Sequence, residues 1–140
     1  MSENYKILLN FIKDLSVETP DAETLIFVKD HLSSYNLNIK ITSKALKNKM
    51  IEVSTNLSFK DKERNEKQSL FEINYVTIIK IEKDFNDKKI LEKIILCDVQ
   101  KEIYPKLEKV FLKLIQDSGY PSLKFEKKVD FEKLYNDRLN

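Results

Sequence analysis

Apolar and polar residues alternate through much of the first half of the chain, then give way to a helical spacing in the second half. Residues 50–60 carry the cleanest alternation. Ile51, Val53, Thr55, Leu57 and Phe59 fall on one face, and Glu52, Ser54, Asn56, Ser58 and Lys60 on the other. That period of two predicts a half-buried strand. Residues 37–46 repeat it with Leu37, Ile39 and Ile41 against Asn38, Lys40 and Thr42, and Lys47-Asn48-Lys49 reads as the polar turn between the two strands. Residues 68–81 predict a further strand after a charged loop over 61–67. Its odd face holds Phe71, Ile73, Tyr75, Ile79 and Ile81, while Leu70, Val76 and Ile78 interrupt its even face. Apolar residues on both faces imply that both are at least partly covered.

The N-terminal stretch fits two periods. Tyr5, Ile7, Leu9, Phe11, Leu15 and Val17 alternate, broken at Lys13, whereas Leu8, Phe11, Ile12 and Leu15 also form a helical stripe. The β-branched and aromatic content and the lack of an evident cap favour a strand over 5–18. Pro20 ends it, since proline has no N–H for a ladder. Residues 24–36 read as an irregular or partly helical connection.

From 88 to 117 the pattern is helical. Leu91, Ile95, Val99, Ile103, Leu107, Val110 and Leu114 recur at spacings of four and three. Such a helix is roughly 45 Å long, longer than a small globule is wide. Pro105 is expected to kink it, and Gly119 followed by Pro121 to end it. A last short helix is predicted from Asp130, with Phe131, Leu134, Tyr135 and Leu139 on its apolar face. The expected fold is therefore α+β, one domain over 1–140. Consecutive strands form a four-stranded antiparallel sheet, followed by a long kinked helix and a short C-terminal helix.

Composition excludes more than it selects. There is one glycine, Gly119, so phosphate-cradling glycine loops are absent in their usual form. His31 and Cys97 are the only soft metal ligands and lie far apart in sequence, which argues against a metal site and against a Cys–His nucleophile pair. No cofactor and no enzymatic activity are expected. Lys+Arg 25 against Asp+Glu 23 gives +2, with both signs dispersed, so a nucleic-acid footprint is not expected. No apolar run reaches the length of a membrane span, the N-terminus lacks a signal-peptide pattern, and the expected location is cytoplasmic, without stable membrane insertion.

What remains is binding to other polypeptides. The long strand and helix outrun a compact monomer, so self-association is expected. Phe71, Ile73 and Tyr75 from the strand and Val99, Ile103 and Leu107 from the helix are the expected oligomer interface. Asp14 and Glu18 lie on one face of the first strand, and Glu72 joins them if its strand is adjacent. Such a patch reads as either a solvated sheet face or a docking site for a basic partner.

These residues also resemble a known family. Phe11-Ile12-Lys13-Asp14-Leu15-Ser16-Val17-Glu18-Thr19-Pro20-Asp21-Ala22 is similar to the opening strand of the SecB export chaperones. Leu70-Phe71-Glu72-Ile73 is similar to that family's L-x-E-V segment, and Ile103-Tyr104-Pro105 to its L-[FY]-P. Gly119-Tyr120-Pro121-Ser122-Leu123, followed by Val129-Asp130-Phe131-Glu132-Lys133-Leu134-Tyr135, resembles its C-terminal motifs. The resemblance implies a homotetramer, a dimer of dimers, that holds unfolded preproteins and delivers them to the SecA motor. It implies SecA contacts at Asp14, Glu18, Leu70 and Glu72. It implies a client groove lined by Ile39, Ile41, Phe131, Leu134, Tyr135 and Leu139. A relative dedicated to one client, such as an antitoxin, would share the fold and the groove without needing SecA. Two departures stand out. Typical members are strongly acidic, and Val76-Thr77 occupies the place of a glycine pair.

Overall fold

The computed structural model describes residues 4–63, 67–83 and 87–139, with the side chains of 138 and 139 left out. The middle of the expected loop over 61–67, residues 64–66, therefore lies outside the described residues. Strands β1 (Tyr5–Glu18), β2 (Tyr35–Ala45), β3 (Met50–Asp61) and β4 (Leu70–Ile81) form one antiparallel sheet. Helix α1 (Ala22–Lys29) and a 3-10 turn (Leu32–Ser34) link β1 to β2. After the sheet come α2 (Lys88–Lys93), a wide π-helical segment (Ile94–Asp98), α3 (Val99–Asp117) and α4 (Phe131–Leu139).

The spatial order is β1-β4-β3-β2. The sequence left the neighbour of β1 open; it is β4, so Glu72 does lie on the strand beside Asp14 and Glu18. Tight connections join β2 to β3, where Asn48 and Lys49 turn the chain at φ 60° and 62°. Leu46 N–H donates to the Met50 carbonyl at 2.8 Å to close that turn. The β1–β2 link is longer and carries its own helix, so β1 crosses over to pair with β4 on the far side. The helix was legible only as a partly helical connection. Asp21 caps it, accepting from the Thr24 N–H at 2.8 Å and the Thr24 hydroxyl at 2.7 Å. Leu25, Ile26, Phe27 and Val28 run consecutively within it and so show no helical period.

Strand β1 is not a plain alternation. Its register against β4 slips between Ile7 and Leu9 and again between Ile12 and Asp14. Each extra residue moves the following side chains to the opposite face. Leu9 and Phe11 therefore share a face with Asp14, Ser16 and Glu18, and Lys13 sits at the second slip rather than interrupting a face.

One core cluster joins the inner sheet face to the helices: Val53, Leu57 and Phe59 of β3, Phe71, Ile73 and Ile79 of β4, and Val99, Ile103, Leu107, Phe111 and Ile115 of α3. The buried stripe follows Phe111 and Ile115; Val110 stays exposed. Phe71, Ile73, Tyr75, Val99, Ile103 and Leu107, expected at an oligomer interface, are all at most 7% exposed in the single chain. In the single chain these side chains belong to its own core. α3 runs through Pro105, and the change of hydrogen-bonding pattern sits upstream, at Ile94–Asp98. A π turn displaces backbone partners. Here the buried Gln100 amide reaches the Ile95 carbonyl at 3.5 Å and donates to the Thr55 hydroxyl at 2.9 Å.

Candidate functional site

Two surfaces collect the candidate residues, one on each side of the sheet. On the helix side, Ile39 and Ile41 of β2, Leu96 of the π segment, and Phe131, Leu134, Tyr135 and Asp137 of α4 line a cavity of about 380 Å³. Five of the six residues expected in a groove thus meet in one place; the Leu139 side chain lies outside the described residues. α4 is held there by specific contacts. Asp130 accepts from the Lys133 N–H at 3.1 Å, capping its start. Phe131 packs edge-on against Tyr104 with centroids 5.0 Å apart. Lys101 and Glu132 pair at 2.7 Å; their hydrogen bond lowers the Glu132 carboxyl and raises the Lys101 ammonium. The Tyr135 hydroxyl donates to the Lys89 carbonyl at 3.2 Å. Leu134 is left half exposed at 50%, an apolar side chain on the rim.

The cavity continues in both directions along β2. Ile41, Leu96 and Tyr135 also border a space of about 570 Å³ toward Ser43 and Glu92. Ile39 opens at the other end into a third of about 780 Å³, bounded by Leu37, Phe59 and residues 122–129. Reading the sequence did not single out this last wall. Its signal was present: Leu123 and Phe125 alternate with Lys124 and Glu126 directly after the helix stop.

On the outer face, β1 and β4 bring the acidic candidates together. Glu18 is opposite Leu70, Ser16 opposite Glu72, and Asp14 opposite Asn74. All four of Asp14, Glu18, Leu70 and Glu72 are exposed. The Glu72 carboxylate accepts from the Asn56 amide at 2.9 Å. Further along the same face, Phe11 pairs with Val76 and Leu9 with Ile78. Among the described residues β1 has one neighbouring strand, which leaves its other edge unpaired, and Leu8, Leu9, Phe11, Ile12, Leu15 and Val17 are each 41–51% exposed.

His31 stacks on Phe27, and its Nδ1 lies 2.7 Å from the Phe27 carbonyl. Cys97 is fully buried, and burial pushes its thiol up. Among the described residues no three His, Cys, Asp or Glu side chains gather as a metal site would require. Among the described residues no helix is long and apolar enough to cross a membrane.

Residues 1–140 match the family described as preprotein translocase subunit SecB. A protein of Pelagibacter ubique (strain HTCC1062), provisionally named a protein-export protein SecB, is 58% identical over 140 residues, the full length of both chains. The protein-export protein SecB of Parvibaculum lavamentivorans is 24% identical over 137 residues, covering 95% of this chain and 77% of that one. A SecB-like chaperone of Mycobacterium tuberculosis, solved with a peptide from an antitoxin, shares the fold. Its TM-score is 0.66 at 11% identity, over 90% of this chain and 88% of the other. A match along its whole length, together with this sheet, joined helix and C-terminal helix, makes the chain a member of the SecB family of protein-export chaperones.

Proposed function

We propose that this protein is a cytoplasmic holding chaperone, without catalysis or cofactor, that keeps unfolded preproteins in the groove along β2 and hands them to SecA. The observation that carries the reading is the convergence of Ile39, Ile41, Phe131, Leu134 and Tyr135 on one apolar cavity open to larger spaces at both ends. An unfolded segment gains by burying apolar side chains there, at roughly 25 cal/mol per Å². Contacts of that kind demand no particular sequence. Asp14, Glu18, Leu70 and Glu72 are the proposed SecA contact, an acidic patch with an apolar member. The proposed assembly is a dimer of dimers, and the unpaired, apolar β1 edge is what favours self-association.

The test is a holding assay followed by titration. The purified protein should delay aggregation of an unfolded preprotein, and SecA should then bind the complex. Asp14→Ala combined with Glu72→Ala should weaken SecA binding about tenfold and leave client binding unchanged. Absence of any holding effect would reject the reading. Equal loss of both activities would make the acidic residues structural. The antitoxin peptide held by the M. tuberculosis neighbour favours one second reading, a chaperone dedicated to a single client. Holding without SecA binding selects that alternative.

A further inference from the structure

The charge around the groove is not that of the chain as a whole. The complete sequence is nearly balanced, with 25 basic and 23 acidic residues. The 780 Å³ end of the groove is bordered by Lys62, Lys124, Lys127 and Lys128 against Glu126 alone. All four lysines are exposed, and none forms an ion pair among the described residues. Lys67, Lys101 and Lys113, in contrast, each have a carboxylate within 4 Å. Glu92 and Asp137 border the two smaller spaces farther along β2.

The floor between these lysines is apolar and fixed. Phe125 sits edge-on to Phe59 at 5.6 Å and is stacked on Phe111 at 6.4 Å. The Gln116 amide donates to the Leu123 carbonyl at 2.9 Å, anchoring the same wall to α3. A ligand that fits must offer apolar side chains to the floor and negative charge to the rim. We propose that this groove selects extended polypeptide segments whose apolar residues are flanked by aspartate or glutamate, through Lys62, Lys124, Lys127 and Lys128. The inference rests on the holding-chaperone reading and adds the class of client. It also gives these four cations a use, since unpaired cations at a groove mouth attract anions before contact is made.

Two synthetic fluorescent peptides test it. They share one core in which leucine and phenylalanine alternate with serine; one is flanked by glutamates and the other by lysines. At low ionic strength the acidic-flanked peptide should bind about tenfold tighter, and the gap should close as salt screens the rim. Lys124→Glu, Lys127→Glu and Lys128→Glu together should reverse the preference. The corresponding glutamine variants, milder toward folding, should abolish it. Equal affinities at low salt, tighter binding of the basic-flanked peptide, or a preference that survives both sets of substitutions would overturn the inference while leaving the chaperone reading intact. So would tighter binding of a single-stranded oligonucleotide than of the acidic-flanked peptide. If neither peptide binds, the chaperone reading itself falls and the inference with it.

Discussion

Ser69 is the node at which the two candidate surfaces meet. It is fully buried, one residue before Leu70. Its hydroxyl lies 2.6 Å from the Thr19 hydroxyl and 2.5 Å from that of Tyr120. Its N–H donates to the Tyr35 hydroxyl at 2.9 Å, which in turn donates to the Ser69 carbonyl at 2.8 Å. Thr19 follows Glu18 of the acidic patch, and Tyr35 borders the groove. Ser69→Ala would leave two hydroxyls each short of a partner in a buried setting, at a cost of about 1–3 kcal/mol. A lowered urea midpoint with an unchanged slope is the expected result. Burial also pushes the Tyr35 hydroxyl up from 10.0 to about 12. A folded value above the unfolded one means that the stabilisation is complete below pH 10 and is lost as pH rises toward 12. The urea midpoint should therefore hold steady to about pH 10 and then fall. Tyr35→Phe should make that fall shallower, although Tyr5, Tyr75 and Tyr104, also raised by burial, keep part of it.

Among elements, the π segment joining α2 to α3 depends on one polar residue. Gln100 is fully buried, and its amide exchanges hydrogen bonds with the Thr55 hydroxyl across the core. Gln100→Leu should cost about 1–3 kcal/mol, because Thr55 is left unpaired, whereas Gln100→Leu with Thr55→Val should recover part of that loss. Denaturant unfolding of both variants checks it; a double variant weaker than the single would mean that shape, not pairing, sets the cost. The elements differ in how far the sequence revealed them. β3 was legible because one face is buried from Val53 to Phe59 while the other stays partly open to solvent. β1 was legible as a strand but not in its faces, since two register slips exchange them and only the partner strand records a slip. α1 was obscured because its apolar residues are consecutive, so only Asp21 and Thr24 marked its start. The place of β1 beside β4 rests on the length of a crossover, which periodicity does not encode. The groove residues on α4 came from motif resemblance, and the structure brings them together. Of the lysine-rich wall over 122–129 only the ends, Ser122-Leu123 and Val129, belonged to a motif; residues 124–128 emerged only from their position opposite β2.

At the scale of the molecule, the sheet order separates three surfaces. β2 is one edge and borders the groove, β1 is the other edge, and the acidic patch lies on the outer face. The helices leave β1 uncovered: from Leu8 to Glu18 every residue is exposed. Fourteen residues of unpaired edge extend roughly 48 Å and template pairing with another strand. A second copy meeting that edge would join two sheets while leaving each β2 groove open at the far side. Ile12 and Leu15, 45% and 46% exposed, leave a lysine side chain a path to carry its ammonium into solvent. Ile12→Lys with Leu15→Lys should therefore yield a folded protein of reduced assembly mass by light scattering, because pairing would bring like charges together across the edge. An unchanged mass would remove β1 from the interface, and a wild-type monomer would remove the assembly altogether. The dissociated variant should bind a short client peptide as well as the wild type does. It should hold a long unfolded chain less well, since grooves on linked copies act at high effective concentration. Equal holding of long chains by both proteins would mean that a single groove suffices.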